Sequence, residues 1–228
     1  MRRLGIVGGL GPETGCQFFL NINNQVIKKT KIQPDIVMEN VPMPECVLQE
    51  LAHGKKPGEV LALLCQSVTR LNIMGSKIIA IPCNTVHVFI DQLRFISKVP
   101  ILSIIEEAAK ECEIRGAKNV GIIGSTTSIK ENLHSRELSK RNISCTIPTS
   151  KQQEKISEII VRIVTNQVTK NDKKELIIIL QDVKNRGADS ILLACTDLRT
   201  IISQSDIDLP IFETTSILEN AAAQAIMK

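Results

Sequence analysis

Tryptophan and tyrosine are absent from this chain, and phenylalanine occurs only five times in 228 residues. Proteins that stack bases or sugars do so on aromatic platforms, so the composition argues against a nucleic-acid partner. Charge agrees. The formal net charge is +4, and the 28 basic residues are interleaved with 24 acidic ones rather than gathered into a stripe. Long hydrophobic runs are missing as well: stretches such as 78–82 and 176–180 fall far short of the ~20 apolar residues that span a bilayer. Met1-Arg2-Arg3 leads directly into Leu4-Gly5-Ile6-Val7 and glycines, too brief an apolar run for a secretory leader. Seven cysteines are present, an odd number at irregular spacings with no Cys-x-x-Cys pair. Neither a disulfide framework nor a zinc ribbon is expected from that pattern. The expectation is a cytoplasmic protein with reduced thiols, most of them small core residues.

What remains is a globular composition, 43% apolar and 23% charged, long enough for one large or two small domains. Runs rich in Ile and Val at 4–8, 36–39, 77–81, 119–123, 144–147 and 190–194 read as strands. Between them, 57–71, 85–96, 104–115, 128–140, 153–167 and 173–186 carry apolar residues at helical spacing, with Gly187 as a stop for the last. Such alternation predicts an α/β fold with largely parallel sheets.

The chain also repeats itself. Leu4-Gly5-Ile6-Val7-Gly8-Gly9 is echoed by Val120-Gly121-Ile122-Ile123-Gly124-Ser125. Gly75 begins a segment that reaches Cys83 eight residues on, and Gly187 begins one that reaches Cys195 eight residues on. Val99-Pro100-Ile101 then trails Cys83 much as Leu209-Pro210-Ile211 trails Cys195. Three matches in one order indicate a duplicated α/β unit. Ligands of open α/β sheets bind beyond the carboxyl ends of the strands. Cys83 and Cys195 both fall at that end of equivalent strands, so facing halves would set the two thiols on either side of one ligand.

Three glycine- and cysteine-centred motifs carry the chemistry. Gly8-Gly9-Leu10-Gly11-Pro12 follows the first strand and opens a helix near Pro12. It fails the dinucleotide fingerprint, because Thr14 stands at the sixth position and Pro12 lacks an N–H. A small anion at the helix N-terminus suits it better, and no Walker lysine comes after it. In Pro82-Cys83-Asn84-Thr85-Val86-His87 the thiol leaves a strand where the next N–H groups can lower its pKa. Read alone, the motif equally suits a buried cysteine with Asn84 as an N-cap. Cys83 and His87 share one helix face, but no second ligand pair completes a metal site. Ala194-Cys195-Thr196-Asp197 supplies the matching thiol. Paired thiols suit a two-sided reaction: racemisation at Cα needs one group to remove a proton and a partner to return one to the opposite face.

The Gly-Gly-Leu-Gly-Pro loop, Pro-Cys-Asn-Thr-x-His, Gly-Ser-Thr-Thr-Ser-Ile and the late Cys-Thr-Asp together resemble the aspartate/glutamate racemase superfamily, in its aspartate racemase branch. The resemblance runs the length of the chain. It implies two pseudo-symmetric, Rossmann-like, doubly wound domains, here 1–98 with 212–228 and 99–211, and a site between them. It also implies racemisation of a small amino acid without a cofactor or metal, usually by a homodimer. Cys83 and Cys195 would be the thiol/thiolate pair. Asn84, Thr85, Thr126, Thr127 and Thr196 would hold the α-carboxylate, with Gly9 and Leu10 lining the pocket and Asp197 and His87 in support.

One departure bears on specificity. Aspartate-selective members resemble Asn-Pro-x-x-Pro-Asp-Arg after the second strand, the Arg pairing with the substrate's side chain. Here the segment is Val41-Pro42-Met43-Pro44-Glu45-Cys46, which puts Cys46 at the Arg position, and a later family Lys falls near Thr165. Loss of a bidentate cation is not conservative. Glu45 would add repulsion if it faced the pocket, while His53, Lys55 or Arg162 could compensate. Aspartate is the first substrate to consider, with a less acidic amino acid as its rival. Three further readings remain: an isomerase or decarboxylase of a small dicarboxylate, a carboxylate-binding protein without turnover, and a redox-sensing role for the thiols.

Overall fold

Strands whose two faces are both apolar need cover on both sides, and the amphipathic stretches between them provide it. A computed structural model describes the backbone of residues 1–228 and all side chains except those of residues 45 and 48. The first run comprises β1 (Leu4–Gly8), α1 (Pro12–Thr30), β2 (Ile36–Asn40), α2 (Glu45–Ala52), α3 (Gly58–Ile73), β3 (Ile78–Ala80), a 3-10 turn (Thr85–Phe89), α4 (Ile90–Ile96), β4 (Ile101–Leu102) and α5 (Ile104–Ile114). The second comprises β5 (Asn119–Gly124), α6 (Thr126–Lys130), α7 (Leu133–Ser139), β6 (Ser144–Thr146), α8 (Ser150–Val164), α9 (Lys170–Asn185), β7 (Ser190–Ala194), β8 (Ile211–Glu213) and α10 (Thr214–Met227).

Each run folds into a four-stranded parallel sheet, ordered β2-β1-β3-β4 and β6-β5-β7-β8. The repeat seen in the sequence is a repeat of register: Gly5 lies opposite Ile79 in the first sheet, and Gly121 lies opposite Ile191 in the second. Alternation along the strands feeds two cores per sheet. Leu4 and Ile6 face one side of β1 while Val7 faces the other. In β7, Leu192 and Ala194 join one cluster, and Ile191 and Leu193 join the opposite one, which Cys195 continues beyond the strand.

The sheets divide slightly later than the sequence boundaries suggested. Ile101–Leu102 pairs with β3 in the first sheet, and Ile211–Glu213 pairs with β7 in the second. Strands of two and three residues carry too little periodicity to register as elements. After β8 the chain crosses back: Leu218, Ala222, Ala223 and Ile226 of α10 pack beside Leu4, Ile6 and Phe18 of the first half. The segments read as single helices at 85–96 and 128–140 are each broken, the first into a 3-10 turn plus α4, the second at Asn132, which has φ 54°. In both sheets the connections leave the first strand on one side and return on the other, so a crevice opens beyond β1 and β3 and again beyond β5 and β7. No helix is long and apolar enough to cross a membrane among the described residues.

Candidate active site

The two crevices face one another. Cys83, just past β3, and Cys195, just past β7, line the same narrow cavity of about 60 Å³, together with Leu10, Asn84, Thr85, Ser125, Thr196 and Asp197. Cys195 is 8% exposed and Cys83 half-buried. All seven cysteines are free thiols.

Burial governs the protonation of both groups. It pushes the Cys83 thiol up to about 11; the N–H groups of Val86 and Thr85 pull the other way, and the Asp197 charge adds to the rise. Burial likewise lifts Cys195 well above the ordinary thiol range, again reinforced by Asp197. The N–H groups after Cys83 thus act in the expected direction but are outweighed by burial, and they belong to a single 3-10 turn rather than to a regular helix.

Asp197 organises its side of the site. Its Oδ2 lies 3.9 Å from Cys195 Sγ, in line to accept the S–H, and its Oδ1 accepts the Thr14 hydroxyl at 2.7 Å. Burial raises its own pKa, opposed by the Thr14 hydrogen bond. Asp197 thereby brings a carboxylate beside the first turn of α1. Gly11, at φ 117°, passes so close that a Cβ there would meet Asp197 Oδ1 at 3.2 Å. Gly9 lines no part of the cavity; it has φ 83°, and a Cβ would meet the Val41 backbone nitrogen at 2.6 Å. Its role is steric, in bringing the loop onto the chain after β2.

The polar residues divide into those that face the cavity and those that brace it. Thr85 Oγ1 and Ser125 Oγ are 2.9 Å apart across the halves, and Ser125 Oγ is 3.0 Å from Ser128 Oγ. Asn84 lines the cavity, yet its amide is a bridge: Nδ2 donates to Thr214 Oγ1 at 2.9 Å, and Oδ1 accepts from His134 Nε2 at 3.0 Å. Thr126 and Thr127 do not line the cavity. Thr126 Oγ1 pairs with Ser157 Oγ at 2.7 Å, and the Thr127 hydroxyl donates to the Leu51 carbonyl. Position explains the difference. Ser125 is the N-cap of α6, its Oγ accepting from Ser128 N, whereas 126 and 127 lie inside the helix and turn toward α2 and α8. The repeat carried the signal, since Ser125 is the counterpart of Gly9. Thr14, at the sixth position of the glycine motif, was likewise visible but went unassigned.

His87 lies behind the site. Its Nδ1–H donates to the Cys83 carbonyl at 2.8 Å, and its Nε2 accepts from Ile104 N at 3.2 Å. Both nitrogens are committed to backbone, which fixes a neutral tautomer, and burial lowers its pKa to about 4. It positions the Cys83 turn. The side-chain candidates fare differently. Cys46 is exposed on α2 and lines no part of the cavity, and the Glu45 side chain lies outside the described residues. His53 Nδ1 bonds the Gln49 carbonyl, Lys55 pairs with Glu50, and Arg162 grips Asp172 through Nε at 3.0 Å and Nη2 at 2.6 Å. None of the three lines the cavity. In their place α2 and α8 supply an uncharged, largely apolar lining: Leu51, Ala52, Ile160, Val161 and Val164, with Gln49 and Thr165 beside them.

The fold is two parallel α/β halves of repeated strand order, with a cysteine from each lining the cavity between them. Comparison with known proteins shows the family. Residues 7–222 match the model of the Asp/Glu/hydantoin racemase family, and the chain belongs to that family. It is 23% identical over 229 residues to the broad specificity amino-acid racemase RacX of Bacillus subtilis, covering 98% of each chain. Its fold is shared with the aspartate racemase of Picrophilus torridus (TM-score 0.84, 22% identity, covering 100% of this chain and 95% of that one). An aspartate racemase homologue from Pyrococcus horikoshii OT3 superposes with a TM-score of 0.79 at 22% identity, each chain covered in full.

Proposed function

We propose that the protein racemises an α-amino acid without a cofactor, using Cys83 and Cys195 as paired acid and base. The observation that carries this reading is the placement of two thiols, from equivalent positions of two repeated halves, on one cavity. One cysteine, as thiolate, takes the Cα proton; the electron pair passes into the carboxylate; the other cysteine gives its proton to the opposite face. The mirror-image substrate runs the same steps with the roles exchanged.

The carboxylate gains charge as the proton leaves, so donors aimed at it favour the transition state over the substrate. Thr85, Ser125 and Thr196 offer hydroxyls at the cavity. In the free protein both thiols are held protonated by burial and by the Asp197 charge. A substrate ammonium near Asp197 offsets that charge and favours the thiolate, which couples base formation to binding.

The test incubates L- and D-amino acids with the protein in heavy water and follows deuterium at Cα. Racemisation with exchange is expected, with a loss of about 10²-fold or more in Cys83→Ser and in Cys195→Ser, the scale of removing a general base. Ligand binding without exchange would defeat the racemase reading. Full activity in either variant would defeat the two-thiol assignment alone.

A further inference from the structure

Resting on the racemase reading, we infer that the substrate is an amino acid with an uncharged, aliphatic side chain, and that aspartate and glutamate are poor substrates. The inference comes from the uncharged, largely apolar lining that α2 and α8 supply. Ile160, Val161 and Val164 line the cavity from α8 and Leu51 and Ala52 from the end of α2, with Gln49 and Thr165 as the uncharged polar residues of the same two elements. No lysine, arginine or histidine lines the cavity among the described residues. The three basic side chains proposed to compensate are engaged elsewhere: His53 on the α2 backbone, Lys55 on Glu50, and Arg162 on Asp172.

Charge balance then selects the ligand. Asp197 is the one charged side chain on the cavity among the described residues. An amino acid brings an ammonium, which Asp197 can offset, and a carboxylate, which the hydroxyls and backbone N–H groups past Cys83 and Cys195 can hold. A second carboxylate would have to lie against α8 beside the charge already on Asp197, with no cation to answer it. An ion taken out of water without a partner is strongly disfavoured. An aliphatic side chain in the same place gains from burial.

The test is a competition among L-alanine, L-valine, L-leucine, L-lysine, L-aspartate and L-glutamate, read as Cα deuterium exchange. The expected result is a kcat/KM for the best aliphatic substrate about 100-fold above that for aspartate, a tenfold change corresponding to about 1.4 kcal/mol. Exchange as fast with aspartate, glutamate or lysine as with leucine overturns the inference and leaves the racemase reading standing. If nothing exchanges, the racemase reading fails, and thermal stabilisation still reports the wall's preference. Leucine raising the unfolding midpoint more than aspartate then supports the inference, and the reverse overturns it. A second variant tests the placement. Thr165 lines the cavity at the C-cap of α8, where a lysine is tolerated and favoured by the helix dipole. Thr165→Lys should raise aspartate exchange relative to leucine at least tenfold. No change in that ratio overturns the assignment of the side chain to α8.

Discussion

Asp197 holds a proton-accepting oxygen toward one thiol while its charge keeps both thiols protonated, and these two effects can be separated. Asp197→Asn removes the charge but retains the shape and a partner for Thr14. Both cysteines should then ionise at lower pH, visible as faster alkylation at neutral pH, while racemisation falls because the site has lost its compensating charge. In the unmodified protein, kcat/KM should still be rising with pH above 8, since Cys83 ionises near 11 in the free protein. A plateau reached below neutrality would refute the account of burial given for the thiols. The buried histidines give a second pH signature. His87 and His134 have pKa values lowered to about 4 and about 3 by burial, so both stay neutral in the fold while the unfolded chain takes up protons below about 6.5. Their stabilising contribution is complete above 6.5 and is lost as pH falls toward 4 and then 3. Urea titrations should show unfolding free energy dropping across that window, on the order of 3 kcal/mol for His87 alone, and His87→Gln should flatten the slope. At this scale the sequence was most legible where the chemistry is local. Cys83 and Cys195 stand out by position in the repeat, and Asp197 as the carboxylate two residues after the second thiol. Thr126 and Thr127 do not reach the cavity, because one residue of helical phase decides whether a hydroxyl faces a ligand or a neighbouring helix.

Among the elements, α8 and α9 show how caps and ion pairs set the site's wall. Thr149 and Gln152 close a capping box at the start of α8, and Asp172 caps α9 through the Thr169 N–H at 2.8 Å while taking both Nε and Nη2 of Arg162. Asp172 is 2% exposed, so Asp172→Ala opens the capping box of α9 and leaves the Arg162 guanidinium with only the more distant Glu158, at 3.8 Å. A loss of about 3 kcal/mol is expected in denaturant unfolding. If Asp172→Ala costs less than about 0.5 kcal/mol, the clamp is a surface ion pair of the ordinary weak kind. Element boundaries followed the sequence where caps and glycine stops were present and failed where tertiary contacts decide. α2 went unread because eight residues between prolines and a glycine look like a loop until Val47 and Leu51 meet the first core. The apolar wall built by α2 and α8 was correspondingly invisible: its residues lie far apart in the chain, and each reads as ordinary core.

Across the whole molecule, the duplication was legible because sheet register preserves the spacing from glycine to cysteine in both halves. How the halves are joined was not. Asn84 lines the cavity and is also a rivet: it receives His134 from the second half and binds Thr214, whose hydroxyl donates to the Leu193 carbonyl at 2.9 Å. Asn84→Ala should cost about 2 kcal/mol or more, since it strands buried partners, with racemisation falling even at temperatures where the fold persists. An unfolding midpoint equal to that of the parent chain would show the bridge to be dispensable. The chain passes between the sheets twice, after Leu102 and after Glu213, and the two passages lie side by side, α10 touching β4 and α5 touching β8. A pair of doors hung on one pin can swing and twist; hung on two, they keep a single axis. Any separation of these halves would have to bend both passages together, which would confine the two thiols to one path.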